Sequence, residues 1–146
     1  MPRLAPKTDW QFETDADFEG WTPNGYLNAA VGGGALAGKT TGPDPILQGP
    51  GVRIEADCTR RLVVRMRSDR DDWAQLFWAT ATSSQSEANS IGFPVVGDGQ
   101  FHNYELDLSK SPQWRGLITS LRFDPSAKAE TSFAVDYIQC FPETHE

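Results

Sequence analysis

The stretch "RRLVVRMRSDRDDWAQLFWATA" (60–81) decides the fold. In its first half Leu62, Val64 and Met66 fall on one side of an extended chain, and Val63, Arg65 and Arg67 on the other. Successive side chains of a strand point to opposite faces, so this alternation predicts a strand with one apolar face. The charged cluster Asp69, Arg70, Asp71, Asp72 is turn-prone and ends it. The run that follows, "AQLFWATA" (74–81), carries the aromatic enrichment of a second strand. Trp73 and Trp78 have opposite parity and therefore point to opposite faces of a regular strand. Leu76 shares parity with Trp78, which places Trp78 inward and Trp73, Gln75 and Phe77 outward. A β-bulge would reverse that assignment.

The same pattern recurs along the chain. No stretch of a dozen residues keeps the i, i+3, i+4, i+7 apolar spacing of a helix. Short strand candidates appear at 9–14, 34–38, 45–50, 90–96, 100–109, 117–125 and 132–141, separated by turn signals. Thirteen Gly and ten Pro supply that punctuation. In "QFHNYELDLS" (100–109) Tyr104, Leu106 and Leu108 face in, and Asn103, Glu105 and Asp107 face out. In "LITSLRFDP" (117–125) Leu121 and Phe123 share one face and Arg122 takes the other. About nine short strands predict an all-β sandwich or barrel. The polar loop "TATSSQSEANS" (80–90) has the composition of a surface segment.

Composition narrows the function. The 146 residues are 38% hydrophobic and 23% charged, as in one globular domain. The expected domain is the whole chain, 1–146, with its core over about 9–141. A net charge of -7 and a pI near 4.8 oppose binding to nucleic-acid phosphates. No apolar run approaches the roughly 20 residues of a membrane-spanning helix. The opening "MPRLAPKTDW" has no apolar signal-peptide core. The chain is either cytoplasmic or a module cut from a larger secreted protein, and its abrupt start fits the second better.

Several chemistries are tempting and weak. "GGGALAGKTTG" contains G-x-x-x-x-G-K-T, with Gly33, Gly38, Lys39 and Thr40 at phosphate-loop spacing. That motif needs a buried strand before it and a helix after it; "YLNAAV" is a weak strand and "TGPDP" breaks any helix. A catalytic triad needs a placed histidine. Only His102, in a strand pattern, and His145, in the tail, exist. Clustered His and Cys for zinc are missing. The twenty Asp and Glu fall mostly in turns, where solvated carboxylates are ordinary.

The ordered set "FETDADFEGW", "LVVRMRS", "AQLFWAT", "DGQFHNYELDLS", "PQWRGLITSLRFDP" and "FAVDYIQ" resembles the galactose-binding-like jelly-roll modules attached to secreted carbohydrate-active enzymes. The resemblance spans nearly the whole chain and implies a β-sandwich of two antiparallel sheets. It also implies a non-catalytic polysaccharide-binding module of an extracellular enzyme, monomeric and serving a catalytic domain. In such modules a structural calcium joins an acidic residue of the first strand to an Asp of the last, which maps to Glu13 and Asp136. The alternative is an Asp136 bonded to backbone amides or to Arg. If the strands after Cys58 and before Cys140 are neighbours, as that fold suggests, a disulfide joins them; two free thiols are the alternative. Trp21 and Trp114, beside turns, would plug the sandwich ends, and Trp10 would cap the first strand.

A sugar needs an aromatic platform and planar polar groups that bridge its hydroxyls. Trp73, at a loop-to-strand corner, is the expected platform, because an exposed indole is costly unless it meets an apolar surface. Arg65, Arg67, Gln75, Asn103 and Arg122 are the outward polar candidates. The arginines suit carboxylated or sulfated sugars, or else pair with Glu105, Asp107 and Asp124. Two other functions compete. A small jelly-roll lyase or glycosidase would use Tyr104, His102 and Arg122. A smooth surface with Trp73 buried would favour a protein-interaction or accessory domain without a sugar ligand.

Overall fold

The computed structural model describes residues 8–142, and these form eleven strands and no α-helix. The strands are β1 (Asp9–Trp10), β2 (Thr22–Pro23), β3 (Leu27–Gly32), β4 (Ala35–Thr40), β5 (Leu47–Glu55), β6 (Thr59–Ser68), β7 (Asp72–Thr80), β8 (Ser90–Val95), β9 (His102–Asp107), β10 (Leu117–Asp124) and β11 (Ser132–Pro142). Single 3-10 turns cover Ala56–Cys58, Glu87–Asn89 and Leu108–Lys110. The two strands of the deciding stretch, β6 and β7, enter different sheets. One sheet runs β3-β4-β11-β6-β9, with β1 also pairing with β11; the other runs β2-β5-β10-β7-β8. All pairings are antiparallel. The expected jelly-roll sandwich of two antiparallel sheets is the observed architecture.

The inner faces meet as the alternation requires. Leu62, Val64 and Met66 of β6 are fully buried, as are Ala74, Leu76 and Trp78 of β7 and Leu121 and Phe123 of β10. Trp78 and Trp114 pack edge to face at 5.1 Å. Both indole N–H groups are satisfied: Trp78 Nε1 donates to the Gln113 carbonyl at 3.0 Å and Trp114 Nε1 to that of Thr59 at 2.7 Å. Trp10 and Trp21 form a second edge-to-face pair at 5.4 Å. Among the described residues neither of their Nε1 atoms has an acceptor, at a cost of about 1–3 kcal/mol each. Trp10 is thus core rather than a cap.

The strand expected over 9–14 stops at Trp10, and Phe12 adopts a left-handed backbone (φ 52°). "YLNAAV", weak as a strand by itself, becomes β3 because β4 pairs with it from Leu27↔Thr40 to Gly32↔Ala35. The loop of this hairpin is Gly33-Gly34, both at positive φ (63° and 83°). Positive φ at both residues is what a type I′ two-residue hairpin loop requires. The phosphate-loop spacing is therefore a hairpin and its second strand, with no helix after it.

The disulfide expectation is corrected. β6 and β11 are antiparallel neighbours, but the register sets Cys140 opposite Leu62. Cys58 lies four residues before Leu62, roughly 13 Å away along the strand at about 3.3 Å per residue. Both cysteines are free. Cys140 is buried in the core, and that burial pushes its thiol pKa up to about 12. Cys58 is partly exposed, with Sγ 3.9 Å from a Glu55 carboxylate oxygen.

Candidate functional site

The register of the β7 sheet lines up outward side chains across all five strands. Thr22 pairs with Gln48, Gln48 with Arg122, Arg122 with Phe77, and Phe77 with Ser90. One row nearer the loop end, Asp124 pairs with Gln75 and Gln75 with Gly92; beyond them Trp73 pairs with Pro94.

Trp73 is 49% exposed, the most exposed large apolar residue among those described. Its indole lies across Gly92: a Cβ built there would fall 2.4 Å from Nε1 and 2.6 Å from Cε2 and Cζ2. Only glycine leaves room for the ring in this position. The backbone beneath it is held by Asp72, whose carboxylate accepts the N–H of Trp73 (2.7 Å) and of Ala127 (2.9 Å) and the hydroxyl of Ser126.

Phe77 also faces outward, yet it is only 4% exposed because the Arg122 guanidinium covers its ring at 4.3 Å. Asp124 receives Arg122 Nε at 2.9 Å and Nη2 at 2.8 Å, a two-point fork that fixes the guanidinium plane. Nη1 stays open among the described residues. The bond to Asp124 raises the Arg122 pKa. Burial raises that of Asp124, against the lowering effect of the fork. Gln75 Nε2 donates to Glu87 (2.9 Å) and to Ser90 Oγ (2.8 Å), leaving its amide oxygen as an unused acceptor among the described residues. Gln48 Nε2 donates to the Leu121 carbonyl at 3.3 Å. The loop 80–90 packs beside this face, with Gln85 Nε2 bonded to Ser120 Oγ at 2.9 Å.

The expected sugar-binding residues therefore divide between two faces. Trp73, Gln75 and Arg122 share the outer face of the β7 sheet, and Gln48 and Phe77 join them. Arg65, Arg67 and Asn103 lie on the outside of the other sheet, where Arg65 pairs with Asn103 across β6 and β9. That is a correction to a single site of six. Arg65 is already engaged, donating from Nε to Asp136 at 3.0 Å and from Nη1 to Asn103 at 2.9 Å. Arg67 lies 5.5 Å from the centre of the Phe101 ring. Glu105 pairs with Arg61 at 3.4 Å rather than with Arg65 or Arg67. Gln48 was passed over in the sequence because its strand is interrupted by Gly and Pro; its outward parity beside buried Leu47 is the signal the sequence holds, and its place next to Arg122 comes only from the pairing of β5 with β10.

Asp136 is likewise not a buried carboxylate awaiting a cation. It is partly exposed at a β-bulge and ion-paired with Arg65. Glu13 is exposed in the loop after β1. Among the described residues no three metal-ligating side chains gather. For Asp136 the Arg-bonded alternative is the one realised.

The residues of the enzymatic alternative are not assembled. Tyr104 points inward, its ring 5.2 Å from Phe93 and its hydroxyl accepting the Val96 N–H at 2.9 Å. His102 contacts both Asp98 oxygens at 2.9 and 3.0 Å. The bond from the Gln100 backbone N–H, and then that of His102, lower the Asp98 pKa. Arg122 belongs to the other sheet, and His145 lies outside the described residues. A cleft of about 480 Å³ opens between β8 and β9, but Phe93, the aromatic that lines it, is buried.

No protein-family model and no curated protein sequence matches the chain. Solved structures do. BiXyn10A CBM1 in its apo form aligns with a TM-score of 0.62 at 9% identity, over 98% of this chain and 100% of that one. A family 29 carbohydrate-binding module solved with mannohexaose aligns at 0.64 and 9% identity, over 94% and 93%. The CBM22-1 xylan-binding domain of Paenibacillus barcinonensis Xyn10C aligns at 0.58 and 12% identity, over 99% and 100%. At such identities the likeness is one of fold: the chain has the jelly-roll architecture of these modules.

Proposed function

We propose that the chain is a non-catalytic polysaccharide-binding module and that the outer face of the β7 sheet is its binding surface. The observation that carries this is Trp73, a half-exposed indole seated on Gly92 at one edge of a face that also presents unused hydrogen-bonding atoms. The C–H face of a sugar ring would stack on the indole. The free amide oxygen of Gln75 would accept from a hydroxyl and Nη1 of Arg122 would donate to one. Sugar hydroxyls do both, so a polar surface holding a free acceptor and a free donor matches them. The ligands named for the structural neighbours, mannohexaose and xylan, are of the same class. The buried Trp73 that would have favoured the protein-interaction reading is not what is found. The module's role would be to hold an attached catalytic domain at its substrate, in an extracellular setting.

The test is affinity electrophoresis against a panel of soluble polysaccharides, with wild type beside Trp73→Ala and Arg65→Ala. Trp73→Ala should weaken binding at least about tenfold, as truncation of an aromatic anchor does. Arg65→Ala, on the opposite face, should bind as wild type. The reverse order of effects would move the site to the β6 sheet.

A further inference from the structure

Resting on the reading just given, the charges around Arg122 define the kind of sugar chain that this face accepts. Arg122 is the cation at the middle of the surface, and two of its three nitrogens are spent on Asp124 at 2.9 and 2.8 Å. Its flat face is spent on Phe77. Two more carboxylates act on the pair. Glu87 reaches the surface through its 2.9 Å bond with Gln75. Asp44 lies in the loop before β5, where Asn24 Nδ2 donates to its carbonyl at 2.9 Å. The charges of both are felt at Arg122 and at Asp124. One guanidinium against the two carboxylates that bonds place on this face, Asp124 and Glu87, leaves its middle anionic, and the Asp44 charge adds to this.

At the Trp73 end of the face the charges are mixed, and the anionic surplus lies at its middle. Asp72 beside Trp73 is a further carboxylate. The Lys128 ammonium, bonded to the neutral Asp71 carbonyl at 2.8 Å, keeps its positive charge at that end. Arg53 lies at the far end of β5, grouped with Glu55 and Asp57.

We infer that this face selects uncharged polyhydroxyl chains and rejects carboxylated or sulfated ones. An anionic sugar would meet a guanidinium already held by a two-point carboxylate fork, inside the field of two further carboxylates. Like charges brought together at an interface are costly and suppress wrong partners. An uncharged hydroxyl requires only a donor and an acceptor, and the face keeps both. The net charge of -7 adds a long-range repulsion of polyanions. The arginine-rich composition of the strands suggests the opposite preference, but Arg65 and Arg67 are on the other side of the sandwich.

Matched polymers test this by isothermal titration: hydroxyethyl cellulose, galactomannan and xylan, each against its own carboxymethylated derivative. The neutral form should bind, and the carboxymethylated form at least about tenfold more weakly at low salt. The gap should narrow as salt rises from about 0.02 to about 0.5 M, because screening weakens charge repulsion and not steric exclusion. Asp44→Asn should narrow it as well. Equal or tighter binding of the carboxymethylated polymer would overturn the selection while leaving the sugar-binding reading intact. A gap insensitive to both salt and Asp44→Asn would also overturn it, since bulk alone would then explain the loss. Failure of every polymer, neutral or anionic, to bind would sink the sugar-binding reading itself, and this inference with it.

Discussion

Trp73 stays half exposed because Gly92 gives its indole a seat. Any side chain at 92 would need the space that the ring occupies, starting with a Cβ 2.4 Å from Nε1. The obstacle is the far end of a side chain rather than backbone, so the ring moves and the strand does not. Gly92→Ala should therefore leave stability within about 1 kcal/mol of wild type, as surface substitutions usually do. It should nevertheless lower polysaccharide affinity toward that of Trp73→Ala. Thermal unfolding together with titration of one neutral polymer reads both quantities. Full affinity in Gly92→Ala, with Trp73 still required, would show that the seat is irrelevant. The orientation of Trp73, Gln75 and Phe77 was legible in the sequence, because parity alone fixes it in a regular strand and β7 carries no bulge against β8. The covering of Phe77 by Arg122 was not legible: it depends on β7 and β10 being neighbours, a pairing of residues 45 apart in the chain. The contact list of a single strand does not contain it.

At the scale of elements, local pattern found β4, β6 to β11 and the beginning of β5, and it failed where pairing overrides propensity. β3 contains Asn28, Ala29 and Ala30, poor strand formers that become strand by lying against β4. β2 is two residues held by β5. Parity could place Arg65, Arg67 and Asn103 on outer faces but could not say which sheet β6 and β9 join, so six outward residues looked like one site. Register was hidden in the same way. That β6 and β11 are neighbours follows from the resemblance, but the one-to-one alignment that puts Cys140 against Leu62 does not. This register makes a testable statement about the thiols. In the folded protein a thiol reagent should titrate Cys58 alone, because Cys140 is buried and its thiolate disfavoured. Unfolding without reductant should expose two thiols, and the melting temperature should be the same with and without reductant. Finding no reactive thiol in the unfolded, unreduced chain would restore the disulfide and contradict the register.

The molecule as a whole is a sandwich with two unlike outer faces. On the β6 side, arginines are interleaved with carboxylates and aromatics: Arg61 covers Phe141 at 4.2 Å, and Arg65 is bonded to Asp136. On the β7 side, an indole platform, two glutamines and a single forked arginine lie under a surplus of carboxylates. The fold supports both faces equally and does not choose between them; the choice rests on the exposed indole and the free polar atoms beside it. The most direct measurement of that choice is a backbone amide chemical-shift titration of the whole protein with a neutral oligosaccharide that it binds. Shift changes should concentrate at Trp73, Gln75 and Phe77 of β7, Gly92 of β8, Arg122 of β10 and Gln48 of β5, with β6, β9 and β11 quiet. Changes centred instead on Arg65, Arg67 and Asn103 would contradict it and place the binding surface on the other sheet.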